Sequence, residues 1–247
     1  MRLSSLAPIA AAILSVAASQ STALAAEAIG KVAAVVGKPS ASGPGGDRDL
    51  KAGAAVYEDD KIEVRSGNAQ IILADGTRLV VGPGSTLVLD RFLMTGGDTA
   101  EKVSIKALRG TFRFITGRSA KSAYDIKTAN ATIGIRGTGF DYWVQKQTGV
   151  AVLEGNVRLC RDKKCVELNE GCEVGRTTSD ETDKIEGRLK GRLIVNYLPY
   201  ILNQGSLRTA FRLPIKDCSA SLPREREGGG NLKENNNQRG GGSQNPD

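Results

Sequence analysis

Histidine is absent from the 247 residues. That absence removes the commonest general base, the serine and cysteine triads and dyads built on imidazole, and most transition-metal sites. The four cysteines, Cys160, Cys165, Cys172 and Cys218, contain no C-x-x-C pair, so a thiolate zinc site is not expected and no metal or cofactor is assigned. Aromatic residues are only 4% of the chain, and no basic run is interleaved with them in the way that stacks bases, which argues against nucleic-acid binding. Phosphate-cradling fingerprints are missing too: GPGGD and GIRGTG match neither a P-loop nor a strand-to-helix dinucleotide motif. Ser85 in GPGST lacks both the flanks of a nucleophile elbow and a histidine partner.

What is present begins with MRLSSLAPIAAAILSVAASQSTALAAEAIG. One arginine precedes an apolar run from Leu6 to Ala18, and Ala23-Leu24-Ala25 supplies a small-residue cleavage pattern. The run is shorter than the roughly 20 residues of a membrane span. Residues 1–25 therefore read as a signal peptide cleaved near Ala25, giving a periplasmic or secreted product with no membrane span after cleavage. The net charge of +7 reads as basic residues interspersed with acidic ones along the chain, which favours solubility over a dedicated polyanion surface.

In an oxidising compartment four cysteines imply two disulfides. In LCRDKKCVEL a hairpin would set Cys160 opposite Cys165 at bridging distance. Cys172 would then pair with Cys218, while the two other connectivities stay open.

From residue 26 to 175 the chain is a succession of short β-rich pieces closed by turn dipeptides. In AQIILADGTRLVVGPGSTLVLDRF, Ile71 and Leu73, then Leu79 and Val81, then Leu87 and Leu89 recur with period two, which puts them on a buried face. Asp75-Gly76 and Gly82-Pro83-Gly84 supply the turns. The pieces recur every seven to fourteen residues or so, a rhythm open to a sandwich, a barrel or an irregular solenoid, and their apolarity is what parallel strands in a solenoid would need. Residues 176–222 read as a helical appendage. Thr178 or Ser179 would cap an amphipathic helix through Ile185, Leu189 and Leu193, Pro199 would break the next apolar run, and the segment would cap an open end of the β unit. Residues 223–247, glycine, asparagine and charge, read as a disordered tail. Glu58-Asp59-Asp60 reads as a solvated charged turn, because adjacent carboxylates diverge and calcium-loop spacing is not met.

GKVAAVVGKPS, GAAVYEDDKIEVRSGNAQIILADGTRLVVGPGSTLVL and TANATIGIRGTGFDYWV, followed by GVAVLEGNVRLC, resemble the successive signatures of the FecR domain family. The resemblance covers about Ile29 to Gly175. It implies a mainly β, irregular solenoid-like or β-helix-like domain in the bacterial periplasm, without known catalytic residues, in a chain that is not an enzyme. It marks Asp75, Gly76, Thr77, Gly82, Ser85, Gly134, Arg136, Gly137, Thr138 and Phe140 as structural motif positions. In ATIGIRGTGF itself the glycines read as a strand junction and Arg136 as paired with a carboxylate, the alternative being an anion site made by Arg136 and nearby backbone N–H groups.

In its namesake setting the domain is the periplasmic half of an anti-sigma regulator that senses an outer-membrane iron-siderophore transporter. Here a short leader stands where that architecture has a sigma-binding segment and a membrane helix. The expected role is a stand-alone, non-catalytic binding module of the cell envelope, with a protein or an envelope polysaccharide as partner. Iron-linked surface signalling is the alternative, and a β-helix enzyme acting on acidic polysaccharides through carboxylates, arginine and lysine is a second.

Overall fold

The computed structural model describes residues 26–137, 139–219 and 222. The leader, Thr138 and the expected tail lie outside the described residues.

The chain weaves between two facing β layers. It starts in layer A with β1 (Ala28–Val36), crosses to layer B for β2 (Ser40–Ser42) and β3 (Arg48–Asp49), and returns for β4 (Ala55–Tyr57). A second crossing gives β5 (Lys61–Val64) in layer B, then the hairpin β6 (Asn68–Leu73) and β7 (Arg78–Val81) in layer A. β8 (Ser85–Met94) lies in layer B, and β9 (Ala100–Ile115) begins in B and ends in A. β10 (Tyr124–Thr128) and β11 (Thr132–Ile135) follow in B, and β12 (Gly139–Val144) and β13 (Thr148–Glu154) in A. The hairpin β14 (Asn156–Arg161) and β15 (Lys164–Asn169) is in B; β16 (Val174–Thr177) and β17 (Thr182–Ile185) close layer A. α1 (Gly187–Tyr197), α2 (Pro199–Leu202) and α3 (Lys216–Ser219) complete the described chain.

Pairing is antiparallel except between β9 and β10. The apolar strands are thus not explained by a parallel solenoid. Their cause is burial on two faces: Ile71, Leu79, Phe112, Phe114, Phe140 and Tyr142 of layer A meet Ile62, Leu87, Ile105, Ile126 and Leu159 of layer B in one core. Much of the aromatic content is concentrated there, with Phe112 stacked on Tyr142 at 4.9 Å and Phe114 on Phe140 at 5.4 Å. The opposite face of layer A is covered as well. Trp143, Leu153 and Val174 pack on Leu193, Ile194, Leu198 and Ile201, while Val80 packs on Tyr200, Leu207 and Phe211. β12 is accordingly buried at every position, whereas β11 in layer B alternates exposed and buried.

Three expectations are corrected here. The segment after Ile185 does not cap an end; it spreads over the outer face of layer A as a third layer, because that face also presents apolar side chains, Val80, Trp143, Leu153 and Val174 among them, that need cover. No helix begins at Thr178 or Ser179. The Thr178 hydroxyl accepts the N–H groups of Asp180 and Glu181, which builds the β16–β17 turn, and α1 starts only at Gly187. KVSIKAL and TFRFITG are one 16-residue strand rather than two. Gly110, at φ 107°, is the point where it passes from layer B to layer A.

Candidate functional site

The DGT turn between β6 and β7 carries Asp75, which is fully buried and forms no ion pair with a lysine or arginine among the described residues. Its carboxylate instead accepts the Thr77 N–H at 2.9 Å and the hydroxyls of Thr77, Ser119 and Tyr124 at 2.8, 2.7 and 3.0 Å. Ser119 in turn accepts the Ala100 N–H, and Tyr124 accepts the Gly117 N–H. Burial raises the Tyr124 phenol above its ordinary pKa, the adjacent Asp75 charge adds to this, and the Thr77 contact opposes it. The cluster ties a layer A turn to both ends of the β9–β10 connection, with each carboxylate oxygen occupied. Gly76, at φ 85°, makes the turn that aims Asp75 inward.

The Gly82-Pro83-Gly84-Ser85 turn serves the same strand from the other side. The Ser85 hydroxyl donates to the Thr111 carbonyl at 3.0 Å and accepts the Thr111 N–H at 2.9 Å, pinning β9 beside Gly110, where any Cβ would overlap Ser85. Gly82 is needed because a Cβ there would lie 2.6 Å from Thr111 and 2.9 Å from the Tyr200 hydroxyl. At the closing signature, a Cβ on Gly137 would overlap the backbone at Gly155 and Asn156. Gly134 faces outward, its nearest neighbour Arg158 at 3.7 Å from a built Cβ, and Phe140 sits in the aromatic stack. Thr138 is outside the described residues.

Arg136 does not find the expected carboxylate. Its side chain is exposed and forms no ion pair among the described residues, while its backbone carbonyl accepts Lys121 Nζ at 2.8 Å and its N–H donates to Asn156. The buried arginine of the fold is another one. Arg113 on β9 lies directly across from Asp141 on β12, on the outer face of layer A, with Nε–Oδ1 at 2.6 Å and Nη2–Oδ2 at 2.8 Å. Exposure is 0% for Arg113 and 1% for Asp141, so the pair survives only because every remaining donor is used. Arg113 Nη1 donates to Gln204 Oε1 and to the Phe211 carbonyl, and Nη2 to the Tyr200 carbonyl. Gln204 also accepts the Leu213 N–H and donates to the Leu213 carbonyl. The guanidinium therefore clamps the third layer onto layer A. Burial lifts the Tyr200 phenol well above its ordinary pKa, with Asp141 adding to the rise and Arg113 opposing it.

Sequence reasoning missed this pair. The available signal was a single charge in the middle of each apolar strand piece, TFRFITG and GFDYWVQ, at positions that period-two alternation places outward.

Glu58-Asp59-Asp60 is only partly the solvated turn expected, with Asp59 exposed. Asp60 is fully buried and holds Arg48 and the Tyr57 N–H, while Glu58 accepts the Phe92 N–H. No cluster able to hold a metal ion occurs among the described residues. Cys160–Cys165 spans the β14–β15 pair as the hairpin spacing suggested, and the remaining pair, Cys172–Cys218, fastens the third layer to the strand connection before β16.

Open surface is left at grooves. One of about 400 Å³ lies where the β7–β8 turn, Gly110, the β12–β13 turn and the end of α1 meet, lined by Arg109, Gln145, Asn196 and Tyr197. With one guanidinium, two amides and no carboxylate, it suits a hydrogen-bonding or anionic group rather than a cation.

Residues 60–158 match the family model described as FecR protein, a narrower span than the motif resemblance suggested. Among curated proteins nothing matches this chain. Two crystal structures, each described as a candidate anti-sigma factor from Parabacteroides distasonis, are similar at 19% and 18% identity, with TM-scores of 0.42 and 0.41. The alignments cover 51% and 54% of this chain, and the chain spans 59% and 64% of those structures.

Proposed function

We infer that this chain, whose residues 60–158 form a FecR-family domain, is a non-catalytic interaction module of the bacterial cell envelope, exported by its leader and held together by two disulfides. The observation that carries the reading is how the motif side chains are used. Asp75, Thr77, Ser85 and Phe140 are consumed by internal hydrogen bonds and packing, so the signature encodes a scaffold rather than a reaction centre. Arg136 is the motif side chain turned outward without an ion partner among the described residues, and it is a candidate contact for a protein or polysaccharide partner.

The test has two arms. Purified protein incubated with acidic polysaccharides is expected to leave the number of reducing and unsaturated ends unchanged; new ends would overturn the non-catalytic reading. Fusing residues 1–25 to a reporter that is active only after export is expected to give activity outside the cytoplasm, and a cytoplasmic reporter would remove the envelope assignment.

The family membership of residues 60–158 favours one narrower alternative, iron-linked surface signalling. It predicts altered transcription of an iron-uptake operon in a deletion strain under iron limitation, and unchanged transcripts would count against it.

A further inference from the structure

The basic charge of this protein is not interspersed. Residues 26–186 hold 23 lysines and arginines against 22 acidic residues, whereas the third layer, residues 187–219, holds six against the single Asp217. That segment therefore carries five of the seven net positive charges. The fold separates the two populations. On layer B, opposite charges are interleaved and paired: Lys106 with Asp90, Lys102 with Asp125 and Arg158 with Glu167 across neighbouring strands, and Lys127 with Asp125 along β10. On the third layer, Arg188, Arg192, Arg208, Arg212 and Lys216 are exposed and form no ion pair among the described residues. The Arg208 and Arg212 guanidinium groups donate to the backbone carbonyls of Ala33 and Leu207.

Apolar side chains share that outer surface. α1 buries Gly191, Leu193 and Ile194 against layer A, which turns Arg188, Arg192 and Val195, spaced by four and three residues, to the outside beside Leu189. Leu189, Val195 and Leu202, at 37, 45 and 41% exposure, are three of the seven large hydrophobic side chains exposed among the described residues, and they fall within 14 positions. A surface where Arg188, Arg192, Arg208, Arg212 and Lys216 lack ion partners among the described residues, with aliphatic side chains set among them, has the chemistry of an interfacial helix. The cations meet lipid phosphates, and the leucine and valine side chains enter the boundary between headgroups and acyl chains. A soluble acidic polysaccharide would satisfy the charges but would leave the aliphatic side chains in water.

We propose that the outer surface of the third layer docks the protein on an anionic glycerophospholipid membrane. The inference goes beyond the module reading, since failure to bind lipid would leave that reading standing.

Co-sedimentation of the exported chain, with the leader over residues 1–25 removed, with vesicles tests it. Binding is expected to phosphatidylcholine vesicles that contain phosphatidylglycerol and not to phosphatidylcholine alone. Raising the salt from about 0.1 M to about 1 M, which shortens the screening length from about 10 to about 3 Å, should release the protein. Arg188→Glu with Arg192→Glu should weaken binding roughly tenfold or more. Arg91→Glu with Lys163→Glu, a matched charge change in the layer B elements, should leave it unchanged. Leu189→Ser with Val195→Ser should weaken binding several-fold without changing its salt dependence.

No binding, or equal binding to both vesicle types, overturns the proposal. So does binding to soluble alginate as tight as to vesicles with the serine variant unaffected, which would assign the surface to a polysaccharide. Lipid composition and salt are read on the unaltered chain, so the outcome does not depend on any variant folding.

Discussion

Arg113 and Asp141 show why a single charge in an apolar strand has to be read with its partner. Removing one member leaves the other buried and uncompensated, so Arg113→Met or Asp141→Leu is expected to cost about 3–5 kcal/mol, measured as a fall in the urea midpoint. The double variant should lose much less than the sum of the two, because neither charge is then stranded; simple additivity would mean that the pair is not coupled. Glycine positions divide in the same way. Gly137→Ala forces a Cβ into the Asn156 backbone and should sharply lower the melting temperature, whereas Gly134→Ala, open to solvent beside Arg158, should be tolerated within about 0.5 kcal/mol. The sequence marked both glycines alike. Which of them faces a neighbouring backbone is set by tertiary packing.

Among the elements, the third layer depends on contacts far away in sequence. Cys172 and Cys218 are 46 residues apart and Cys160 and Cys165 only five. By the loop-entropy argument the long bridge contributes about 4 kcal/mol and the short one about 2. Replacing Cys172 and Cys218 by serine should therefore lower stability more than replacing Cys160 and Cys165, and should open residues 187–219 to limited proteolysis while the β layers persist. Equal protection of that segment in both variants would show that the Arg113 clamp and the apolar contacts hold it unaided. The hairpin and its bridge were legible in LCRDKKCVEL, since alternation and a short turn fix the register. The strand over Thr182–Ile185 was not. TTSDETD carries a Thr-x-x-Glu spacing that builds a helix cap or a hairpin turn equally well, and the presence of β16 decides between them.

For the whole molecule, three layers leave several phenols without access to water. Burial raises Tyr142, Tyr200 and Tyr124 above the ordinary value of 10.0, so the fold favours their neutral forms. Their contribution is fully present below about pH 10 and is lost as the pH climbs through the raised values. Phenolate absorbance from these residues and loss of β-sheet circular dichroism should accordingly rise together in an alkaline titration; ionisation well ahead of unfolding would contradict the buried placement. The Tyr142 hydroxyl has no hydrogen-bond partner among the described residues, so Tyr142→Phe should be neutral or stabilising by up to about 1 kcal/mol and should move the alkaline midpoint upward.

By itself the sequence determined the β class, the turns at Asp75-Gly76 and Gly82-Pro83-Gly84, the hairpin disulfide and the exclusion of imidazole chemistry. Each of these follows from residue type and short-range period, which the chain carries locally. Tertiary structure alone decided that layer A is covered on both faces, that Arg113 rather than Arg136 is the buried arginine, and that the segment with the excess of positive charge lies over the outer face of layer A. Those outcomes depend on which strands become neighbours, and neighbours distant in sequence are set by the packing of the whole core.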